Sequence, residues 1–213
     1  MKKPNEMTIP VKNAQLFGIL TIPSDAAGLI LFVHGSGSGR HSPRNQYVAS
    51  VLNQNGFATL LFDLLTAKEE EVDNITAELR FDIPFLTERV ISVINWVAAQ
   101  KNLKSLPLGL FGASTGAAAA LKASVQKETV KAIVSRGGRP DMAYEDLAKV
   151  TAPTLLIVGE NDREVIKLNE EARNKIPGHA KMLIIPNATH LFEEEGTLEQ
   201  AAKEASKWFL KHL

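Results

Sequence analysis

The sequence predicts an α/β protein: a doubly wound, mostly parallel sheet with helices on both faces. Three observations predict it. Short, nearly unbroken apolar segments recur along the chain, helix-like stretches alternate with them, and a glycine-flanked serine sits on a tight turn between one strand and one helix. Strands buried on both faces read as continuous apolar runs. Their alternation with helices is how a chain builds a parallel sheet.

In chain order, residues 7–12 and 15–22 read as a strand pair around the turn at Asn13-Ala14. Further strands are expected at 29–33, 58–62, 106–111, 132–134, 154–158 and 181–185, each bounded by Gly, Pro or charge. Helices are expected at 45–55, 81–100, 115–125, 165–175 and 198–212. The last carries Ala201, Ala205, Trp208 and Phe209 on one stripe and should pack on the sheet. The charge runs 68–71 and 193–195 read as solvated loop faces. Between the sixth and seventh expected strands, residues 135–152 have room for one short helix over 142–150. The stretch 66–80 reads as an acidic loop, too polar for an apolar lid. No cap domain is expected, so a site at the strand ends should be open.

At 213 residues the chain suits one domain, 1–213, with no repeat or linker to divide it. Its 24 Lys and Arg balance 24 Asp and Glu, which leaves no global field to draw it to nucleic acid or an anionic membrane. There is no cysteine, so thiolate catalysis, disulfides and cysteine-ligated metals are excluded. The start, with Lys2 and Lys3, lacks the apolar stretch of a signal peptide, and no apolar run approaches the length of a membrane span. A cytoplasmic location is expected.

The sharpest motif is Gly112-Ala113-Ser114-Thr115-Gly116, after the strand LPLGLF and before the Ala-rich helix. A serine on such a turn projects its hydroxyl above the sheet, and crowding demands small neighbours. A hydroxyl needs a base. Of the histidines at 34, 41, 179, 190 and 212, His190 is the best candidate, because it follows the last strand at its carboxyl end, where reactive groups collect. Asp162, in TLLIVGENDREV, is the expected carboxylate to orient it, with Glu160 and Asp141 as rivals. An oxyanion needs two backbone donors. The N–H of Thr115 is one. The other should come from the loop Gly35-Ser36-Gly37-Ser38-Gly39, with Ser36 first and Gly37 next; Gly37 is also expected to line the substrate site. No metal-binding pattern such as H-E-x-x-H is present, and no cofactor is expected.

Two other classes share parts of this pattern. The glycine loop mimics a dinucleotide fingerprint with Asp63 as the ribose-binding acid, but the third glycine falls on Arg40 or Ser42. A non-catalytic binding protein on the same fold would need no complete set of catalytic groups. An acyltransferase would use the same groups as a hydrolase.

The segments HGSGSGRHSPRN, FDLLT, GLFGASTGAAAAL, SRGGRPD, LLIVGENDREV and NATHLFEE resemble the dienelactone-hydrolase-like branch of the α/β-hydrolase superfamily. The resemblance implies an eight-stranded, mostly parallel sheet and hydrolysis of an ester or lactone. It places Ser114, Asp162 and His190 on the triad positions, in the Ser–Asp–His order of that superfamily. The dienelactone hydrolases use a cysteine nucleophile; this chain has none, so a small-molecule carboxylic ester fits better than dienelactone. Arg136 and Arg139, in SRGGRPD, follow a strand on the same side. Arg136 is expected either to brace a structural loop or to receive a substrate carboxylate.

Overall fold

The computed structural model describes residues 5–213; Lys2 and Lys3 lie outside them. The chain opens with the expected antiparallel pair, β1 (Asn5–Val11) and β2 (Ala14–Thr21), turned at Asn13 in a left-handed conformation (φ 61°). β3 (Gly28–Val33), β4 (Phe57–Phe62), β5 (Leu108–Ala113), β6 (Val130–Arg136), β7 (Thr154–Gly159) and β8 (Ala180–Ile185) follow, and these six run parallel. The eight-stranded sheet has the order β1-β2-β4-β3-β5-β6-β7-β8. β3, β4, β5 and β7 are buried along their whole lengths, which is why each reads as an unbroken apolar run. β6 exceeds the expected 132–134 at both ends: Val130 pairs with Leu108 across a bulge at the exposed Lys131, and the buried Ser135 and Arg136 extend the pairing to Gly112 and Ala113.

The helices are α1 (Pro43–Gln54), α2 (Ala67–Thr76), α3 (Ile83–Ala99), α4 (Thr115–Gln126), α5 (Arg163–Lys175) and α6 (Thr197–His212). α1 starts two residues earlier than expected. Ser42 caps it by accepting from the Asn45 N–H, and Pro43 occupies the first turn, where its missing N–H costs nothing. Successive residues of each central strand point to opposite faces, giving two cores. Leu29, Leu31, Leu60, Leu110 and Ile133 pack under α3 and α4, whereas Ile30, Phe32, Phe111, Val134 and Ile157 pack under α1 and α6. Trp208 and Phe209 belong to the second core, as the α6 stripe predicted.

Two local expectations are corrected. The stretch 66–80 is no loop. Thr66 and Glu69 form a reciprocal capping box that starts α2, and its end is tied down by the buried Asp73 carboxylate. That carboxylate accepts from the Leu79 N–H at 2.7 Å and from Arg80 Nε at 2.6 Å. Burial would raise its pKa, but the Arg80 and Leu79 hydrogen bonds carry it below the ordinary value. The Lys68–Glu71 charges therefore decorate a helix, and Glu69 further pairs with Arg89 across to α3. The interval 135–152 holds two short 3₁₀ turns, Pro140–Ala143 and Leu147–Lys149, rather than one helix. Ala143, Leu147 and Val150 face the core at a spacing of three to four, which both structures share. No cap domain is inserted anywhere in the described residues.

His34, at the carboxyl end of β3, ties two strand ends together. Its Nδ1–H donates to the Gly35 carbonyl at 2.9 Å, and its Nε2 accepts the Leu64 N–H at 3.0 Å. The ring is held neutral because burial lowers its pKa from 6.5, against weaker opposing effects of Gly35 and Asp63. Below about pH 6.5 the unfolded chain binds a proton that the folded ring refuses, so stability falls as pH drops. Urea unfolding at pH 7.5 and 5.5 is expected to show a larger loss of stability in the wild type than in His34→Gln. Equal losses would mean that His34 is not excluded from protonation.

Candidate functional site

Ser114 stands between β5 and α4 with φ 50° and ψ −123°, a region non-glycine residues seldom occupy and which costs about 1–3 kcal/mol. Its neighbours hold it there. The Ser114 N–H donates to the Arg136 carbonyl at 3.2 Å, and the Ser114 carbonyl accepts from Ala117 and Arg139 N–H groups, both at 3.1 Å. The flanking glycines are required by space. A Cβ at position 112 would lie 2.5 Å from Ala117 Cα, and one at 116 would overlap the Val33 and His34 carbonyl oxygens. The result is a half-buried hydroxyl at the carboxyl ends of the central strands.

The loop after β8 brings His190 to the same place. Its Nδ1 donates to Asp162 Oδ2 at 2.6 Å. Of the three carboxylates the sequence offered, this is the one paired with the imidazole. Glu160 instead accepts the Asn187 N–H at 2.8 Å, and Asp141 is engaged by Arg139 through two hydrogen bonds. Glu160, a rival for the acid in the sequence, is here a bracing residue, and Glu194 is a second one that sequence reading passed over. Glu194 accepts the Thr189 N–H at 3.0 Å, and its hydrogen bonds with Thr189 hold its carboxyl below the ordinary range. Glu194 lies in the charge run 193–195 that reads as a solvated loop face, and nothing in its local sequence marks a partner.

Ser114 and His190 line one cleft of about 200 Å³ with Gly35, Ser36, Ser38, Asn45 and Arg136. No hydrogen bond joins Ser114 to His190 among the described residues. Such bonds are often long before substrate arrives. The N–H of Thr115, at the first position of α4, has no intrahelical acceptor. The Ser36 N–H, the expected second donor, is engaged by Thr115 Oγ1 at 3.0 Å. Gly37 turns with φ 67° and lies away from the Ser114 cleft. It lines a second cavity of about 40 Å³ on the other side of the loop, bounded by His34, Leu64, Thr115 and, from α2, Glu70, Asp73 and Asn74. α2 is thus a wall of the site region, which the reading of 66–80 as a loop did not foresee.

Among the described residues, no group of three or more His, Asp or Glu side chains is placed to hold a metal ion. No helix there is long and apolar enough to cross a membrane.

Comparison with known proteins agrees with this architecture. A family model described as an alpha/beta hydrolase domain matches residues 26–211. The crystal structure of a dienelactone hydrolase from Anabaena variabilis superposes with a TM-score of 0.97 at 50% identity, covering all of both chains. Est1E from Butyrivibrio proteoclasticus shares the fold at 15% identity, with a TM-score of 0.81 over 97% of this chain and 98% of that one. A curated relative from Mycobacterium tuberculosis, named a putative phosphoribosyl transferase, is 51% identical over 99% of this chain. The chain spans 47% of that protein's length. With a family match from residue 26 to residue 211 and a structural relative of equal extent sharing half its residues, this chain belongs to the alpha/beta hydrolase domain family, in its dienelactone-hydrolase-like branch.

Proposed function

We propose that this protein is a serine hydrolase that cleaves small carboxylic esters or lactones through an acyl-enzyme on Ser114. The observation that carries the reading is the His190–Asp162 hydrogen bond at the mouth of the cleft that holds Ser114 on its strained turn. With Nδ1 committed to Asp162, His190 has Nε2 to take the Ser114 proton as Oγ attacks the ester carbonyl. Asp162 fixes the ring and stabilises the imidazolium. The carbonyl oxygen, now an anion, is received by the Thr115 N–H and by the Ser36 N–H, which turns to it from Thr115 Oγ1. Collapse of the tetrahedral intermediate expels the alcohol, which takes the proton from His190. Water, deprotonated by His190, then attacks the acyl carbon, frees the acid and restores the Ser114 hydroxyl.

Support for ester chemistry also comes from relatives. The 50%-identical neighbour is named a dienelactone hydrolase, and Est1E was solved with ferulic acid bound. The serine at position 114 and the absence of cysteine make the nucleophile an alcohol in this chain.

Ser114→Ala is expected to lower kcat on p-nitrophenyl acetate by about 10⁴-fold or more and to abolish labelling by a fluorophosphonate, with unfolding unchanged. His190→Ala should match it closely. Asp162→Asn should lose about a hundredfold less, as removal of an orienting acid usually does. A larger loss in Glu160→Gln than in Asp162→Asn would assign the acid to Glu160.

The cleft and the neighbouring cavity are small, and no inserted domain covers them. A longer acyl chain finds little to bury against, although each buried CH₂ is worth about 0.8 kcal/mol. Among p-nitrophenyl alkanoates, kcat/KM is expected to peak at roughly two to six acyl carbons, with no jump above the substrate's solubility limit. A maximum at palmitate would overturn the open-site reading.

A further inference from the structure

Arg136 ends β6, and its Cα pairs in register with Ala113, one residue before Ser114. The side chain is buried (8% exposed), and it lines the Ser114 cleft. Among the described residues the side chain makes one hydrogen bond, a long one from Nη2 to Asn45 Oδ1 at 3.4 Å; Nε and Nη1 have no partner there. No carboxylate is within salt-bridge distance of it there, whereas its sequence neighbour Arg139 is clamped by Asp141. Behind the guanidinium lies the Phe192 ring, 5.7 Å away. The nearby charge it does feel is Arg44, of the same sign. Burial and Arg44 push its pKa down to about 10, which leaves it cationic at neutral pH.

A guanidinium held out of water without a counter-ion is costly, and a second cation nearby adds to the cost. The same arrangement is inexpensive once an anion enters. Arg44 lines the same cleft from the first turn of α1, and Glu193 holds it at the exposed rim at 3.1 Å. Arg44 is therefore free to exchange a solvated partner for an incoming one. The fork of a guanidinium matches the two oxygens of a carboxylate.

We propose that Arg136, assisted by Arg44 and Asn45, is a carboxylate-binding subsite of the Ser114 cleft, so that the preferred substrates are esters whose acyl group carries a free carboxylate, such as half-esters of short dicarboxylic acids. The assignment rests on the serine-hydrolase reading for its catalytic consequence but not for binding. The competing role is mechanical: Arg136 stacks on Phe192, two residues beyond His190, and could serve only to brace that loop.

The test has two arms. In the first, kcat/KM is measured for mono-p-nitrophenyl glutarate and for p-nitrophenyl valerate, which differ in the terminal carboxylate. The wild-type ratio is expected to favour the glutarate by about tenfold or more, the scale of one charge-assisted hydrogen bond. The ratio should fall to about one in Arg136→Met. A wild-type ratio of one, or a ratio unchanged in the variant, overturns the subsite; the latter is the signature of a brace, which slows both esters alike. Should Arg136→Met fail to fold, Arg44→Gln at the exposed rim carries the test, with an expected drop of roughly two- to fivefold in the same ratio; an unchanged ratio overturns the proposal. In the second arm, glutarate is titrated calorimetrically into wild-type protein. Saturable binding that is weakened in the Arg136 or Arg44 variant supports the subsite even if no ester is hydrolysed, in which case it is the hydrolase reading that fails. Ester hydrolysis without glutarate binding and without a ratio leaves the hydrolase and removes the subsite. Tighter binding of inorganic phosphate than of glutarate overturns the carboxylate assignment.

Discussion

The close approach of α4 to the end of β3 at Gly116 governs the geometry of the whole site. The helix start lies against the Val33 and His34 carbonyls with no room for a side chain, and one turn back Gly112 meets Ala117 with equally little room. Only under that compression does the chain between β5 and α4 turn sharply enough to force Ser114 to positive φ. The strain is held by hydrogen bonds from β6 and the following turn, so the position of Ser114 belongs to the central sheet rather than to a mobile loop. The same contact brings Thr115 within hydrogen-bond reach of Ser36, and so sets how the glycine loop addresses the cleft.

On the other flank, two loops are stitched into one support. The Asn161 N–H donates to the Ala188 carbonyl, and its side chain donates to the Asn187 carbonyl, each at 2.9 Å. Glu160 returns the connection by accepting the Asn187 N–H. Asp162 and His190 thus sit on segments that are joined by hydrogen bonds other than their own. The imidazole's orientation follows from backbone pairing at the ends of β7 and β8 as much as from the carboxylate. Phe192, buried with φ 57°, anchors the far side of this loop, and Arg136 lies over its ring.

The cleft therefore carries opposite electrostatic demands on its two sides. His190 has its counter-charge in Asp162, while Arg136 has none among the described residues. Elsewhere among the described residues the buried and half-buried arginines have carboxylate partners, as Arg80 with Asp73, Arg40 with Asp63 and Arg139 with Asp141. Against that practice, the unpaired Arg136 stands out, and it does so beside the strained serine.

Much of this was legible along the chain, because local signals report local constraints. Unbroken apolar runs such as 29–33 and 154–158 mark strands covered on both faces, and the Ala-rich stretch after Ser114 marks a helix packed tightly against the sheet. Small residues around Ser114 mark a turn with no space, and Ser114, Asp162 and His190 each fall just past a strand, where a parallel sheet opens its cleft. Other features depended on which segments meet. The Thr66–Glu69 box was present in the sequence, yet surrounding charge disguised a helix whose stability comes from the buried Asp73 and from Glu69 pairing with α3. The choice of Asp162 over Glu160 and Asp141 spans 28 residues and depends on how the ends of β7 and β8 align. The occupied Ser36 N–H depends on a hydroxyl 79 residues away, and the contact between Arg136 and Asn45 joins positions 91 apart. Periodicity and glycine placement express what each segment needs from its own backbone. Which polar group finds a partner, and which is left facing a cleft without one, depends on the sheet order, because that order alone decides which strand ends become neighbours.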